Sequence, residues 1–315
     1  MKKLFILLAV VGMILTACEK SSGFGGNGDV NGNENEQLGD NSDNIPADKT
    51  KAIKFQDENT KLICIQHWDE NGDGELSYKE AAAVIDLGTA FKDSSIVAFT
   101  ELKFFTGLSG ITDEAFYCCA SLVKATLPEQ IATIDYRAFN GCRNLKTIII
   151  PGSVRSIGNY AFRYCPSLTS VTIPNSVTSI GENAFSRCES LTSVTIPDSV
   201  TSIGDEAFYG CKSLTSVTIG NSVTTIGESA FHYCSSLTSV TIPDSVTSIG
   251  GGAFYDCKSL KSVYCKPITP PTGGSVMFYN NASGRKIYVP RNSVDAYRLA
   301  EGWSEYASDI VGYDF

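Results

Sequence analysis

The sequence predicts a β-rich repeat solenoid of 23-residue coils whose strands stack into a parallel sheet, closed by short non-repeating regions at its two ends. Three columns carry this expectation. Phe116, Phe139, Phe162, Phe185, Phe208, Phe231 and Phe254 are each 23 residues apart. Leu122, Leu145, Leu168, Leu191, Leu214, Leu237 and Leu260 keep the same step, as do Ile111, Ile134, Ile157, Ile180, Ile203, Ile226 and Ile249. A globular core does not require such a step, whereas stacked coils of equal length do.

The coil from Cys165 to Arg187 reads "CPSLTSVTIPNSVTSIGENAFSR". Val171 and Ile173 alternate with Thr172, the period of a strand that turns Leu168, Val171 and Ile173 inward and Ser170 and Thr172 outward. Pro174 ends the strand, and Asn175 and Ser176 supply a turn. Val177 and Ile180 point back in, and Gly181 is expected to take the positive φ of a tight corner. Ala184, Phe185 and Cys188 then close the coil in a short helical or 3₁₀-like segment. A single coil buries too little apolar surface to offset the entropy of ordering it, so its stability must come from its neighbours.

The frame continues at both ends. Upstream, Phe99, Leu102, Phe104, Leu108 and Ile111 fall at the Leu, Val, Ile, Val and Ile places of a first coil. Downstream, Leu260 and Val263 keep the frame, Cys265 stands at an isoleucine place, and a longer loop leads to Phe278. Ile287 and Val289 repeat the strand, and Ser293 to about Ala307 reads as helix. Tyr297, Leu299, Trp303, Tyr306 and Ile310 are expected to seal the open end, because an exposed solenoid terminus invites aggregation. The organisation expected is a leader (1–17), a tether (18–51), an N-terminal cap (52–95), the solenoid (96–278) and a C-terminal cap (279–315).

The leader carries Lys2 and Lys3 before an apolar run from Leu4 to Leu15, too short to span a bilayer stably, which is the pattern of a signal peptide. Leu15-Thr16-Ala17-Cys18 resembles a bacterial lipobox, whose cysteine receives lipid and becomes the mature N-terminus. That resemblance implies a lipoprotein of the outer membrane, displayed on the cell surface and touching the bilayer only through lipid on Cys18. Residues 19–51 are dense in Gly, Asn and Asp and nearly free of aliphatic side chains, so they read as a flexible tether. A net charge of −9 argues against nucleic acid or an anionic membrane surface as partner.

The unit "CxxLxxVxIPxxVxxIGxxAFxx", from about Ile96 to Phe278, resembles the BspA-type leucine-rich repeat of bacterial surface lipoproteins, and the C-terminal cap is also similar to that family's ending. The resemblance implies surface display and binding to host proteins or neighbouring cells, with a ligand that differs between members.

Cys119, Cys142, Cys165, Cys188, Cys211, Cys234 and Cys257 form a ladder. In-register side chains all point one way into a packed interior, which disfavours disulfides, and a line of thiols does not surround a point as zinc ligands must. The ladder therefore reads as packing, with cysteine acting as a small hydrophobe. Cys64 and Cys118 lie outside it, and a bridge between them is open in an exported chain.

"DENGDGELSYKE", Asp69 to Glu80, follows the EF-hand loop pattern. Asp69, Asn71 and Asp73 stand at positions 1, 3 and 5, Gly74 at 6 and Glu80 at 12, with Glu75 offering its carbonyl and Ser77 acting directly or through water. Calcium takes six to eight hard oxygens, so this spacing points to a structural calcium site that locks the N-terminal cap onto the first coil. Segments able to form helix flank the loop. Ser77 and Glu80 also spell a capping box, which needs no metal.

For a partner surface, the Ser and Thr rows of the sheet face are chemically bland. The residues after each phenylalanine vary more: Tyr117, Arg163, Tyr164, Arg187, Tyr209, His232, Tyr233 and Tyr255. Tyrosine and arginine are favoured at interfaces, although corner residues that merely cover coil edges would look the same. The chain has two histidines, and it shows no nucleophile elbow and no phosphate-binding glycine loop, so catalysis is not expected. The function expected is a non-enzymatic binding or adhesion scaffold for a protein partner, with a glycan-binding accessory lipoprotein or an envelope spacer as alternatives.

Overall fold

A computed structural model describes residues 46–315. The leader, Cys18 and most of the tether lie outside the described residues.

Each coil supplies two strands, not one. Longer strands such as Ser170–Thr172, Ser193–Ile196, Ser216–Ile219 and Ser239–Ile242 recur once per coil and are hydrogen-bonded in three separate parallel ladders. After the proline turn, two-residue strands from Gly110–Ile111 to Thr272–Gly273 form an eight-stranded parallel ladder. Ser179 and Ile180 pair with Ser202 and Ile203, and those with Thr225 and Ile226, so equal residues meet in register. In place of the single sheet expected from the sequence, each coil thus adds to two rows of strands, because the segment holding Val177 and Ile180 is itself extended.

The expected inward residues are buried: Leu168, Val171, Ile173, Val177, Ile180, Ala184, Phe185 and Cys188. The phenylalanines form one stack. From Phe116 to Phe278 neighbouring ring centroids lie 4.9–5.5 Å apart with planes within 9° of parallel. This spacing exceeds the ~4.8 Å strand step only slightly, so the rings lie offset, the arrangement aromatic quadrupoles favour.

The segment around each phenylalanine is a run of turns rather than a helix. Asn183, Phe185 and Arg187 donate their N–H groups forward to Asp205, Ala207 and Tyr209 of the next coil, at 2.8, 2.8 and 2.6 Å. The intervening Ala184, Ser186 and Cys188 donate back to Gly181, Asn183 and Phe185 of their own coil. This alternation puts the residues two before and two after each phenylalanine at positive φ, Asn183 at 56° and Arg187 at 62°. The left-handed region costs an L-residue roughly 1–2 kcal/mol, and the forward hydrogen bonds hold it in place.

Gly181 does not supply the positive φ expected of it. A Cβ there would lie 2.7 Å from the backbone N of Asn159 in the preceding coil, and one at Gly204 would lie 2.6 Å from Gly181 C. The glycine column is a place of close approach between coils.

The N-terminal cap has two helices, α1 (Glu58–Trp68) and α2 (Tyr78–Ala83). Asp57 caps α1 through Asn59 and Thr60, and its other oxygen accepts the N–H groups of Val97 and Ala98, tying the helix to the first coil. Trp68 packs on Phe91 and Phe105, at 5.9 and 5.6 Å between ring centroids. The first coil is longer than expected. Phe99 pairs with Ala125 at the Val place, so Ile96 rather than Phe99 takes the Leu place, and Thr100–Phe104 form a 3₁₀ turn.

At the other end the strand Lys286–Pro290 leads through a 3₁₀ turn into α3 (Val294–Leu299), a second 3₁₀ turn and the strand Ile310–Tyr313. Tyr297, Trp303, Tyr306 and Ile310 are buried as expected. Leu299 is not part of the seal: it ends α3 with its side chain outward, 84% exposed. Trp303 lies 5.9 Å from Phe278, so the chain's two tryptophans bracket the phenylalanine stack.

Candidate functional site

The corner residues singled out in the sequence come together as one strip. The left-handed backbone on both sides of each phenylalanine turns neighbouring side chains onto the same edge of the coils. Arg163 lies over Tyr160 and Tyr164, at 5.5 and 4.5 Å from guanidinium carbon to ring centroid, and Arg187 over Tyr209 at 5.2 Å. His232 is enclosed by Tyr209, Tyr233 and Tyr255 at 5.1, 4.3 and 4.6 Å. Tyr117 joins at the other end through Arg137 and Lys92, at 5.9 and 5.1 Å.

Four members were not anticipated. Arg137 bridges Tyr117, Tyr136 and Tyr160, and Tyr279 stacks on Tyr255 at 5.3 Å. Tyr136, Arg137 and Tyr160 stand before their phenylalanine, not after it, so a search of the following pair passes over them. For Arg137 and Tyr160 the signal is the symmetry of the corner, where positions two before and two after share the left-handed conformation; Tyr136, three before, carries no such mark. The strip spans seven coil steps, roughly 30 Å at the strand spacing.

Its members divide into two roles. Tyr136, Tyr164, Tyr233 and Tyr279 are exposed, whereas Tyr117, Tyr160, Arg163, Arg187, Tyr209, His232 and Tyr255 are half-buried supports. Burial pushes the His232 imidazole below its ordinary pKa, with Asp256 opposing, so it is neutral at physiological pH. The Nε atoms of Arg137 and Arg163 are covered without a hydrogen-bond partner. Both guanidinium groups make cation–π contact with tyrosine, and Arg137 also donates to the Glu114 carboxylate at 3.4 Å.

The loop between α1 and α2 has the curvature of the predicted pattern, with Gly74 at φ 83°. Asp69 accepts N–H groups of Gly72 and Gly74, Asn71 that of Asp73, and Asp73 that of Glu75. The Glu75 side chain turns away to Lys61, 2.8 Å distant, leaving its carbonyl for the loop. Glu80 forms the complete capping box with Ser77 and also accepts from Glu70 and Asn71, which fills all four acceptor sites of its carboxylate. The donor types fit calcium, but Glu80 would have to exchange its bonds to the Glu70 and Asn71 amides for the ion. Among the described residues, no three His, Cys, Asp or Glu side chains are gathered as metal ligands.

The cysteine ladder has a role beyond filling space. Each thiol donates to the carbonyl of the phenylalanine in the preceding coil, from Cys119 to Phe91 at 2.9 Å through Cys257 to Phe231 at 3.2 Å. Burial pushes Cys165 and Cys257 up to about 12 and Cys188 and Cys211 well above the ordinary thiol value. Cys64 is a free, buried thiol, so the Cys64–Cys118 bridge is not formed.

Residues 88–215 and 178–298 match the BspA type leucine rich repeat region, which together is more than half of the chain. The chain belongs to the BspA-type leucine-rich repeat family. Among solved structures, this BspA-type chain is similar to a leucine-rich repeat protein from Bacteroides ovatus, at 27% identity and TM-score 0.47 over 66% of this chain and 64% of that one. It is similar to a leucine rich cell surface protein from Faecalibacterium prausnitzii, at 30% identity and TM-score 0.42 over 60% of each chain. A leucine rich repeat protein of T. pallidum matches at 25% identity and TM-score 0.36, over 61% of this chain and 85% of that one. The chain thus matches less than two thirds of the length of the first two. No curated protein matches it. Membership in this family makes the BspA-type solenoid a repeat scaffold. Among the described residues, no helix is long and apolar enough to cross a membrane.

Proposed function

We propose that this BspA-type chain is a non-enzymatic adhesion scaffold, held on the bacterial surface by lipid on Cys18, that binds a protein of a host or neighbouring cell along the corner strip. The observation that carries this reading is the continuity of the strip: exposed tyrosines stand on a bed of half-buried Arg, His and Tyr across the coils. Rigid aromatic rings bury much area at little entropic cost, which is why they dominate interface energetics. The coil core supplies only position, since its reactive groups are buried and protonated. The cell-surface description of the Faecalibacterium prausnitzii relative supports display.

Calcium in the Asp69–Glu80 loop is the second part of the proposal. Asp69, Asn71 and Asp73 through their side chains, Glu75 through its carbonyl, and Ser77 and Glu80 would hold it. The ion would supply positive charge that offsets the repulsion among the carboxylates of Asp69, Asp73 and Glu80. It would thereby stiffen the unit whose Trp68 packs on Phe91 and Phe105.

The test is surface plasmon resonance of the full chain against a panel of extracellular-matrix proteins, with Tyr164→Ala, Tyr233→Ala and Tyr279→Ala introduced together. Binding that falls tenfold or more with an unchanged melting temperature supports the strip. Binding that is unchanged assigns recognition to another face.

A further inference from the structure

The outer face of the longer strands is interrupted. The ladder stops between Ser170–Thr172 and Ser193–Ile196, and a second break falls between Ser216–Ile219 and Ser239–Ile242, while Ser193–Ile196 pairs with Ser216–Ile219 and Ser239–Ile242 with Ser262–Cys265. Gly220 stands where the other coils carry Pro174, Pro197 and Pro243. A Cβ at Gly220 would lie 2.4 Å from Pro197 O, so glycine lets this turn close onto the preceding coil. Val217 is half-buried there, although Val194 and Val240 at the same place are 3% and 2% exposed.

A hollow of about 500 Å³ lies across the second break, lined among others by Thr195, Asp198, Thr218, Asn221, Thr241 and Lys266. Its polar side chains are hydroxyls and amides with one carboxylate and one ammonium, set among apolar residues such as Val217 and Ile219, so it has no net charge with which to select an ionic partner. Along the same outward row, Thr241 pairs with Tyr264 and Tyr264 with Tyr288. The rings of Tyr264 and Tyr288 lie 4.9 Å apart and 13° from parallel, and Tyr313 meets both edge-on at 5.6 and 5.4 Å. An aromatic platform therefore adjoins a neutral, hydrogen-bonding hollow.

We propose that the hollow and this platform together form a binding site for a neutral polysaccharide lying along the stacking direction. Sugar rings carry an apolar C–H face that stacks on tyrosine and a rim of hydroxyls that bond to Thr, Asn and Asp side chains. One coil step, ~4.8 Å, is close to the length of one sugar unit in an extended chain, so successive units meet successive coils. This site lies on a different face from the corner strip and does not depend on it.

The experiment is affinity electrophoresis of the full chain through gels holding xyloglucan, galactomannan, α-mannan or β-1,3-glucan, followed by calorimetry with the oligosaccharides of any gel that retards it. Variants are Tyr264→Ala, Tyr288→Ala and Thr218→Lys, with Tyr164→Ala as the corner control and melting curves as the check on folding. We expect retardation by at least one polysaccharide, weakened at least tenfold by Tyr264→Ala and by Thr218→Lys, and unchanged by Tyr164→Ala. Migration unaffected by all four polysaccharides overturns the proposal, as does retardation that survives Tyr264→Ala and Thr218→Lys in folded protein. A concentration-dependent dimer, or a protein partner, that is lost in Tyr264→Ala while no polysaccharide binds would give this face to protein contact and equally overturn it.

Discussion

The thiol of Cys211 donates to the carbonyl of Phe185 at 3.3 Å, across the boundary between two coils. The same carbonyl accepts the N–H of Cys188 from its own coil at 3.2 Å. One atom therefore joins the turn of a coil to the next coil. Cys211→Ala removes the donor and leaves a small void, and should cost about 1–2 kcal/mol in urea denaturation. Because burial holds these thiols protonated, the ladder should resist iodoacetamide at pH 8 in the native state and react once the chain is unfolded. Rapid native alkylation of Cys211 would contradict this placement.

The glycine column makes a sharper prediction about coil spacing. At Gly204 a methyl group meets Gly181 C and O at 2.6 and 2.7 Å, backbone atoms that cannot turn aside. At Gly152 a methyl group meets nothing within 4 Å. Gly204→Ala should lose about 2–3 kcal/mol or more through displaced backbone, as overpacking does. Gly152→Ala should fall within about 1 kcal/mol of the parent, and paired thermal melts of the two variants decide the matter.

Acid should loosen the N-terminal cap before the solenoid. Burial pushes the Asp57 carboxyl upward, but the N–H groups of Val97, Ala98, Thr60 and Asn59 outweigh it and hold its pKa below the ordinary value. A carboxylate depressed on folding contributes stability that is fully present above its unfolded pKa, about 4, and is lost as pH falls through the lower folded value. In a Trp303→Phe background, Trp68 fluorescence should therefore shift below about pH 4, and Asp57→Ala should shift it at neutral pH with a loss of about 2 kcal/mol. A Trp68 signal flat across that range would sink the assignment.

Calcium binding is separable from capping at Glu80. Glutamine at this position keeps a capping box, since the third helical position accepts Glu or Gln, but removes the charge a cation needs. Calorimetry should give heat and a rise in melting temperature for the parent in millimolar calcium, and neither for Glu80→Gln with its α2 intact. A parent that shows no heat and no gain leaves the capping box as the loop's whole function.

Much of this architecture is legible from the period alone. Phe185, Leu168 and Ile180 stand at their places because each must face the stack, and identical spacing forces identical burial. The eight-stranded ladder is not legible, since two residues such as Ser179–Ile180 are too few to display an alternation. The glycine after each such isoleucine misleads for a physical reason. Glycine answers both to positive φ and to close approach, and the fold uses the second: Gly181 meets Asn159, while Asn183 and Arg187 take the left-handed backbone. In the first coil the extra residues between Phe99 and Ile111 form a 3₁₀ turn and shift the strand register, which a fixed 23-residue frame cannot register. The corner strip was half legible: the residues after each phenylalanine were visible, but Tyr136, Arg137 and Tyr160 join them only because the turn folds both flanks to one edge.

The central claim is that an inert stacked core presents a corner strip as its working surface. The most direct measurement compares binding of the full chain to the extracellular-matrix panel before and after Tyr164→Ala, Tyr233→Ala and Tyr279→Ala together, with melting temperature as the control. The account expects at least a tenfold loss of affinity with the melting temperature held within a few degrees. Binding that persists at full strength in the folded triple variant would contradict it.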